Sequence, residues 1–200
     1  MKFSYLATSR GRHQLHIKVG GGYIRGSLFP VNVKLPTHKL GTPIKSIQGV
    51  QGPWGVAVNQ KGEIIIAEYS GFRISIFGQS EEKLLPFGSQ FNYPQGVAVD
   101  EHDNILVAEK GNYCLQKFTL AGMFINTVGK KGNKLLEFNY PLDIAIHPLN
   151  KMVYVSDRSN HRIQILNPDL TSTSSFGSFG SDNGKFHCPW GVTWEYIIHS

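Results

Sequence analysis

"NYPQGVAVDEHDNILVAE", residues 92–109, decides the fold, because nearly the same line occurs twice more in the chain. It stands earlier as "QGPWGVAVNQKGEIIIAE" (51–68) and later, more altered, as "NYPLDIAIHPLNKMVYVSD" (139–157). The copies align on Pro53, Pro94, Pro141 and a fourth proline, Pro189, with intervals of 41, 47 and 48 residues. After each proline comes a short apolar stretch: "GVAV" at 55–58 and 96–99, "DIAI" at 143–146 and "GVTW" at 191–194. A polar turn follows, then a second stretch closed by an acid: "EIIIAE" to Glu68, "ILVAE" to Glu109 and "MVYVSD" to Asp157. A third stretch reads "RISIF" (73–77), "CLQKF" (114–118) and "RIQIL" (162–166). A fourth, weaker one leads through glycines to the next proline.

Alternation of apolar and polar residues at period two means strands, and excludes a helical solenoid. Four short strands in a unit of 40-odd residues is the period of a β-propeller blade. One such sheet cannot cover both faces alone, so blades must stack around an axis. Proline suits a strand entrance, where no ladder N–H is needed. Glycine and alanine in "GVAV" suit the crowded innermost strand. The expectation is an all-β chain with blades at about 53–88, 94–129 and 141–177, and a fourth beginning at 189. "TPIKSIQGVQGP" (42–53) matches the fourth-strand stretches but follows no blade. Ile44–Ile47 is therefore read as an orphan closing strand, of the kind that completes the last blade of a ring. About three blades are fewer than closed rings use, so the reading is of an incomplete propeller, a fragment or truncated gene model.

Composition fits this picture. Hydrophobic residues make up 40% and aromatics 12%, enough for a packed core. The formal charge of +6 is uneven: residues 1–62 hold nine Lys/Arg and no acid, whereas 63–200 hold eleven Lys/Arg and fourteen acids. The basic character belongs to the N-terminal segment, so global charge does not argue for a nucleic-acid partner. Two cysteines, Cys114 and Cys188, make no disulfide framework and fit a reducing cytoplasmic location. No apolar run approaches the ~18 residues a membrane helix needs, and no signal peptide opens the chain.

"NHRIQIL" at 160–166, after "VYVSDRS", resembles the motif that names NHL repeats; "GFRISIF" (71–77) and "NYCLQKF" (112–118) are weaker variants. Blade two departs by placing Cys114 where Arg73 and Arg162 stand. "RGRHQLHIKVGGGYIRGSLFPVNV" (10–33), with Leu15, Ile17 and Val19 alternating against His16 and Lys18, resembles the last strands of a filamin-type immunoglobulin-like repeat. Residues 1–35 are assigned to that partial sandwich, 36–43 to a linker and 44–200 to the propeller. This order, over residues 3 to about 194, resembles the C-terminal part of the tripartite-motif NHL family. The resemblance implies a partner-recognition module of a RING-type ubiquitin ligase, docking a protein substrate on the propeller face, with RNA as the alternative partner. A RING needs about eight Cys/His ligands, so the chain itself is not expected to be an enzyme. Oligomerisation is expected only through absent upstream segments. No cofactor, metal or small-molecule substrate is expected.

Candidate binding residues fall in the turns between second and third strands: Tyr69, Phe72, Lys110, Tyr113, Arg158 and His161, with Arg73 and Arg162 beside them. Aromatic and basic side chains gathered on one face suit single-stranded RNA; the alternative is solvated turns. For Arg73 and Arg162 the competing reading is structural, each paired with the acid five residues earlier, Glu68 or Asp157. "KKGNK" (130–134) reads as a solvated loop, and Asp143 as facing the axial channel. His187 and Cys188 are adjacent, without further ligands near in sequence.

Overall fold

The computed structural model describes residues 11–19, 22–23, 47, 49–78, 83–88 and 91–198. It is all-β. β1 (Gly11–Val19) and β2 (Gly22–Tyr23) precede three four-stranded antiparallel sheets. The first is β3 (Pro53–Val58), β4 (Ile64–Glu68), β5 (Arg73–Phe77) and β6 (Lys83–Phe87). The second is β7 (Pro94–Val99), β8 (Ile105–Glu109), β9 (Cys114–Phe118) and β10 (Phe124–Val128). A small parallel ribbon, β11 (Lys130–Lys131) with β12 (Glu137–Phe138), leads to the third: β13 (Pro141–Ile146), β14 (Val153–Asp157), β15 (Arg162–Leu166) and β16 (Ser172–Phe176). β17 (Pro189–Ile198) opens a fourth unit. The three four-stranded sheets are propeller blades, each with its fourth strand paired on the outside.

The core lies in the seams between blades. Ile65, Ala67, Ile74 and Ile76 of blade one meet Val97, Ile105, Val107 and Phe118 of blade two. Leu106, Ala108 and Leu115 of blade two meet Ile144, Val153, Val155 and Leu166 of blade three. Successive residues of β8 thus face opposite seams, which is why "ILVA" is an unbroken apolar run: both faces of that strand are covered. Among the described residues the outward face of β3 has no such neighbour, and Val56 and Val58 remain 56% and 60% exposed.

The inner strands β3, β7, β13 and β17 pack side by side. Their approach demands glycine. A Cβ on Gly96 would stand 2.5 Å from the Asp143 Cα and 2.7 Å from the Leu142 carbonyl oxygen, and one on Gly55 would collide with the Gln95 carbonyl. In blade three the same position holds Asp143. Its carboxylate does not simply line a channel: Oδ2 accepts the Val192 N–H (3.0 Å) and so reaches across to β17. Ser156 adds a second link, donating to the Trp190 carbonyl (3.0 Å). Burial pushes the Asp143 carboxyl up to about 6.

An N-terminal strand joins β17 in a three-stranded sheet. β1 pairs antiparallel with β17, from Gly11↔Ile198 to Val19↔Pro189, and β2 pairs with β1 in turn. β1 therefore takes the second-strand position beside β17, where the sequence suggested a separate immunoglobulin-like sandwich; the pairing lends that assignment no support. An inner strand with an open edge pairs readily with any period-two segment that reaches it. The linker 36–43 and residues 44–46 of the expected closing strand lie outside the described residues.

Replacing Gly96 with Ala is expected to cost roughly 2 kcal/mol or more, by forcing β7 and β13 apart. A urea-unfolding midpoint equal to that of the native sequence would contradict this packing.

Candidate ligand-binding face

Each blade carries a buried carboxylate where its second strand ends: Glu68, Glu109 and Asp157, all at 0% exposure. Each accepts the N–H of the second residue before the blade's proline: Gln51 to Glu68 Oε2 (2.7 Å), Asn92 to Glu109 Oε2 (3.0 Å) and Asn139 to Asp157 Oδ1 (2.7 Å). Two backbone bonds accompany it every time. Tyr69, Lys110 and Arg158 donate to the carbonyls of Gly52, Tyr93 and Tyr140. Gly71, Gly111 and Ser159 donate to those of Gln51, Asn92 and Asn139. The incoming connector is thereby clamped to the turn between second and third strands.

The third strand completes the clamp in blades one and three. Arg73 meets Glu68 at 2.8 Å, and Ser75 donates to the same carboxylate. Arg162 Nε meets Asp157 Oδ2 at 2.8 Å, with Gln164 and Asn160 beside it. Arg162 spends its remaining donors on the carbonyls of Asn133, Lys134 and Glu137. Both arginines thus act within the scaffold. Burial drives the Glu68 carboxyl upward, but bonds from Arg73, Ser75 and the Gln51 N–H outweigh it and leave it below its ordinary value. Blade two has Cys114 in place of the arginine. There burial wins over the bonds from Asn92 and Asn112, and the Glu109 carboxyl is raised. Burial, followed by the neighbouring Glu109 charge, also pushes the Cys114 thiol up to about 11, so that sulfur is an inert buried group.

Two residues per seam adopt the left-handed backbone region. In the turn these are Phe72, Tyr113 and His161 (φ 49°, 57° and 55°); before the proline they are Tyr93, Tyr140 and Cys188 (55°, 58° and 55°). Such conformations cost on the order of 1–2 kcal/mol for a non-glycine residue, and here the turns are held in them by three bonds apiece. At each seam the two strained positions meet. Phe72 lies 5.2 Å from Tyr93, and Tyr113 5.3 Å from Tyr140, centroid to centroid. At the third seam His161 Nδ1 accepts the Cys188 N–H (3.1 Å).

From these pairs a continuous aromatic surface runs across one end of the propeller. Tyr93 is 4.7 Å from Tyr69, Tyr69 is 5.7 Å from Trp54, and Trp54 is 5.9 Å from Trp190, joining blade one to the fourth unit. Cations sit on the rings: Lys110 between Tyr69 (5.7 Å) and Tyr140 (5.5 Å), Lys131 over Tyr113 (5.1 Å), Arg158 over Trp190 (5.5 Å). The predicted residues Tyr69, Phe72, Lys110, Tyr113, Arg158 and His161 therefore share one face. Sequence reasoning missed Trp54, Tyr93, Tyr140 and Trp190, although an aromatic residue flanks every one of the four prolines, before it in Tyr93 and Tyr140 and after it in Trp54 and Trp190, which was a usable signal. It also missed Lys131, whose loop is not free but anchored by the β11–β12 ribbon. Among the described residues, no group of three or more His, Cys, Asp or Glu is placed to hold a metal ion.

Acids are absent from the surface of the blade turns at this end, because the three at the strand ends are buried. Glu63, Asp100, Glu101, Asp103 and Asp169 lie instead in the turns at the opposite end, where Asp100 pairs with Lys117 (2.8 Å) and Glu101 with Lys151 (3.1 Å).

Three stretches, 51–77, 91–118 and 138–166, match the NHL repeat. The chain is 33% identical over 90 residues to "Protein brain tumor" of Drosophila melanogaster, covering 44% of this chain and 9% of that protein. It is 37% identical over 83 residues to "E3 ubiquitin-protein ligase TRIM71" of Xenopus tropicalis, covering 37% of this chain and 10% of that protein. The chain thus spans about a tenth of the length of these relatives. Among solved structures, a streptogramin B lyase superposes with a TM-score of 0.59 at 18% identity, covering 74% of this chain and 49% of that one. The hydrazine synthase of Kuenenia stuttgartiensis gives 0.57 at 16% identity, covering 77% and 41%. These two are likenesses of β-propeller fold alone.

Cys114→Arg is expected to raise stability by roughly 1–2 kcal/mol at neutral pH, by giving Glu109 a charged partner. A carboxyl with a raised folded value holds its proton more readily folded than unfolded, so the native sequence gains stability as pH falls through that value. The advantage of the variant should therefore be largest above about pH 7 and shrink towards pH 4. Urea midpoints that differ by a constant amount across this range would contradict the assignment.

Proposed function

We propose that this chain, an NHL-repeat propeller of the tripartite-motif NHL family, is a recognition module that binds single-stranded RNA on its aromatic–basic face. One observation carries the reading: Lys110, Lys131 and Arg158 stand over aromatic rings at an end whose blade-turn acids are buried. Bases stack on rings and phosphates approach cations, a combination that binds single strands without demanding a fixed sequence. The excess of acids after residue 62 does not by itself oppose it, because Glu63, Asp100, Glu101, Asp103 and Asp169 lie in turns at the other end and the exposed Asp182 on this side is paired with Lys185.

A protein substrate is the second reading. It is favoured by the similarity to a relative named as an E3 ubiquitin-protein ligase, and by exposed Phe72 and Tyr93, which could anchor a peptide. In that reading the propeller selects the substrate, and a RING elsewhere in a longer protein performs the transfer.

Titrating a fluorescent oligoribonucleotide with the full chain in rising salt distinguishes them. RNA binding should weaken as salt rises, and Lys110→Ala with Lys131→Ala should flatten the logarithmic slope by roughly 0.7 per lost phosphate contact. No binding at about 50 mM salt would overturn the RNA reading.

A further inference from the structure

The third seam departs from the other two. Where Phe72–Tyr93 and Tyr113–Tyr140 are hydrocarbon rings and phenols, this seam places two imidazoles in parallel, His161 and His187, 5.9 Å apart and 18° from coplanar. Phe179, 65% exposed, stands edge-on to both, at 4.9 and 5.3 Å. His161 Nδ1 accepts the Cys188 N–H, so the proton of the neutral ring sits on Nε2, as a donor. On the same turn Arg158 lies over Trp190.

The charged groups around this seam are settled by their own partners. Asp157 beneath it is buried and taken by Arg162, Asn160 and the Asn139 N–H. On the loop that carries Phe179 and His187, Asp182 pairs with Lys185 (2.9 Å). Facing His161 are therefore His187, Arg158 and the backbone N–H of Cys188. Burial first, then the charges of His187 and Arg158, hold the His161 imidazole below its ordinary value. An anion accepting from the in-plane Nε2–H of His161, at the edge of the ring pair, would reverse that balance, since a nearby opposite charge favours the protonated form. An exposed aromatic edge beside such an anion site is what one nucleotide offers a use for: a phosphate on the imidazoles and a base against Phe179.

We propose that the third seam, formed by His161, His187, Phe179 and Arg158, is a phosphodiester subsite that takes up a proton when a single-stranded oligonucleotide docks. The subsite rests on the RNA reading of the face and adds to it a proton-linked contact confined to one blade junction.

The test measures binding of a short labelled oligouridylate to the full chain at about pH 8 and about pH 5.5. Each unit by which bound phosphate raises an imidazole pKa adds up to tenfold to the affinity, so roughly tenfold tighter binding is expected at the lower pH. The double variant His161→Gln, His187→Gln should bring that ratio close to one, whereas His102→Gln, an exposed histidine at the opposite end, should leave it as in the native chain. Imidazole proton shifts of the native chain give a measurement independent of the variants: the His161 titration must move upward when oligouridylate is added. Binding at pH 8 without enhancement, or enhancement that survives the double variant, overturns the subsite and leaves the face reading intact. Absence of oligouridylate binding at both pH values sinks the face reading itself. A phosphoserine peptide that binds with this pH profile, while oligouridylate does not, overturns the assigned ligand.

Discussion

The carboxylate at the end of each second strand is the constraint on which the rest depends. A buried charge is tolerable only when donors surround it, and here the donors come from three places: the connector before the blade, the turn, and the third strand. Satisfying Glu68 or Asp157 therefore fixes where the chain enters a blade relative to where it turns. Glu109, served by Asn92 and Asn112 but by no arginine, shows that the backbone part of the clamp persists without the ion pair. Because the bonds recur in the same order, each seam inherits the same strained pair of residues, and the aromatic face follows from the clamp.

Much of this was legible in the chain. The proline, the second-strand acid and the period of four strands disclosed the blade architecture, since they report on local turns and on alternation. Glycine in "GVAV" rightly signalled crowding at the axis. The structural reading of Arg73 and Arg162 was also open to sequence, since an acid lies five residues before each.

What was not legible depends on approach between blades. Asp143 looks like a channel group until β17 is seen presenting the Val192 N–H to it. Trp54 and Trp190 lie 136 positions apart and meet only because the arc of blades curves back on itself. Left-handed tyrosines carry no compositional signal, as glycine would. The pairing of Gly11–Val19 with β17 was not legible for a related reason: alternation identifies a strand but not the edge it joins.

The partition of charge connects fold to function. Counted along the chain, the repeats are acidic; arranged in space, the acids that end the second strands are buried in clamps, Glu63, Asp100, Glu101, Asp103 and Asp169 lie at the end away from Lys110, Lys131 and Arg158, and Asp182, exposed on the connector after β16, is paired with Lys185. A propeller can thus present a cationic aromatic end on a chain whose repeats carry a net negative charge. Native-state hydrogen exchange tests the clamp most directly. The account predicts that the amides of Gln51, Asn92 and Asn139 exchange as slowly as strand amides, and that Asp157→Ala releases Asn139 while sparing Asn92. Fast exchange at all three in the native chain, or an Asn139 amide unaffected by the substitution, would contradict it.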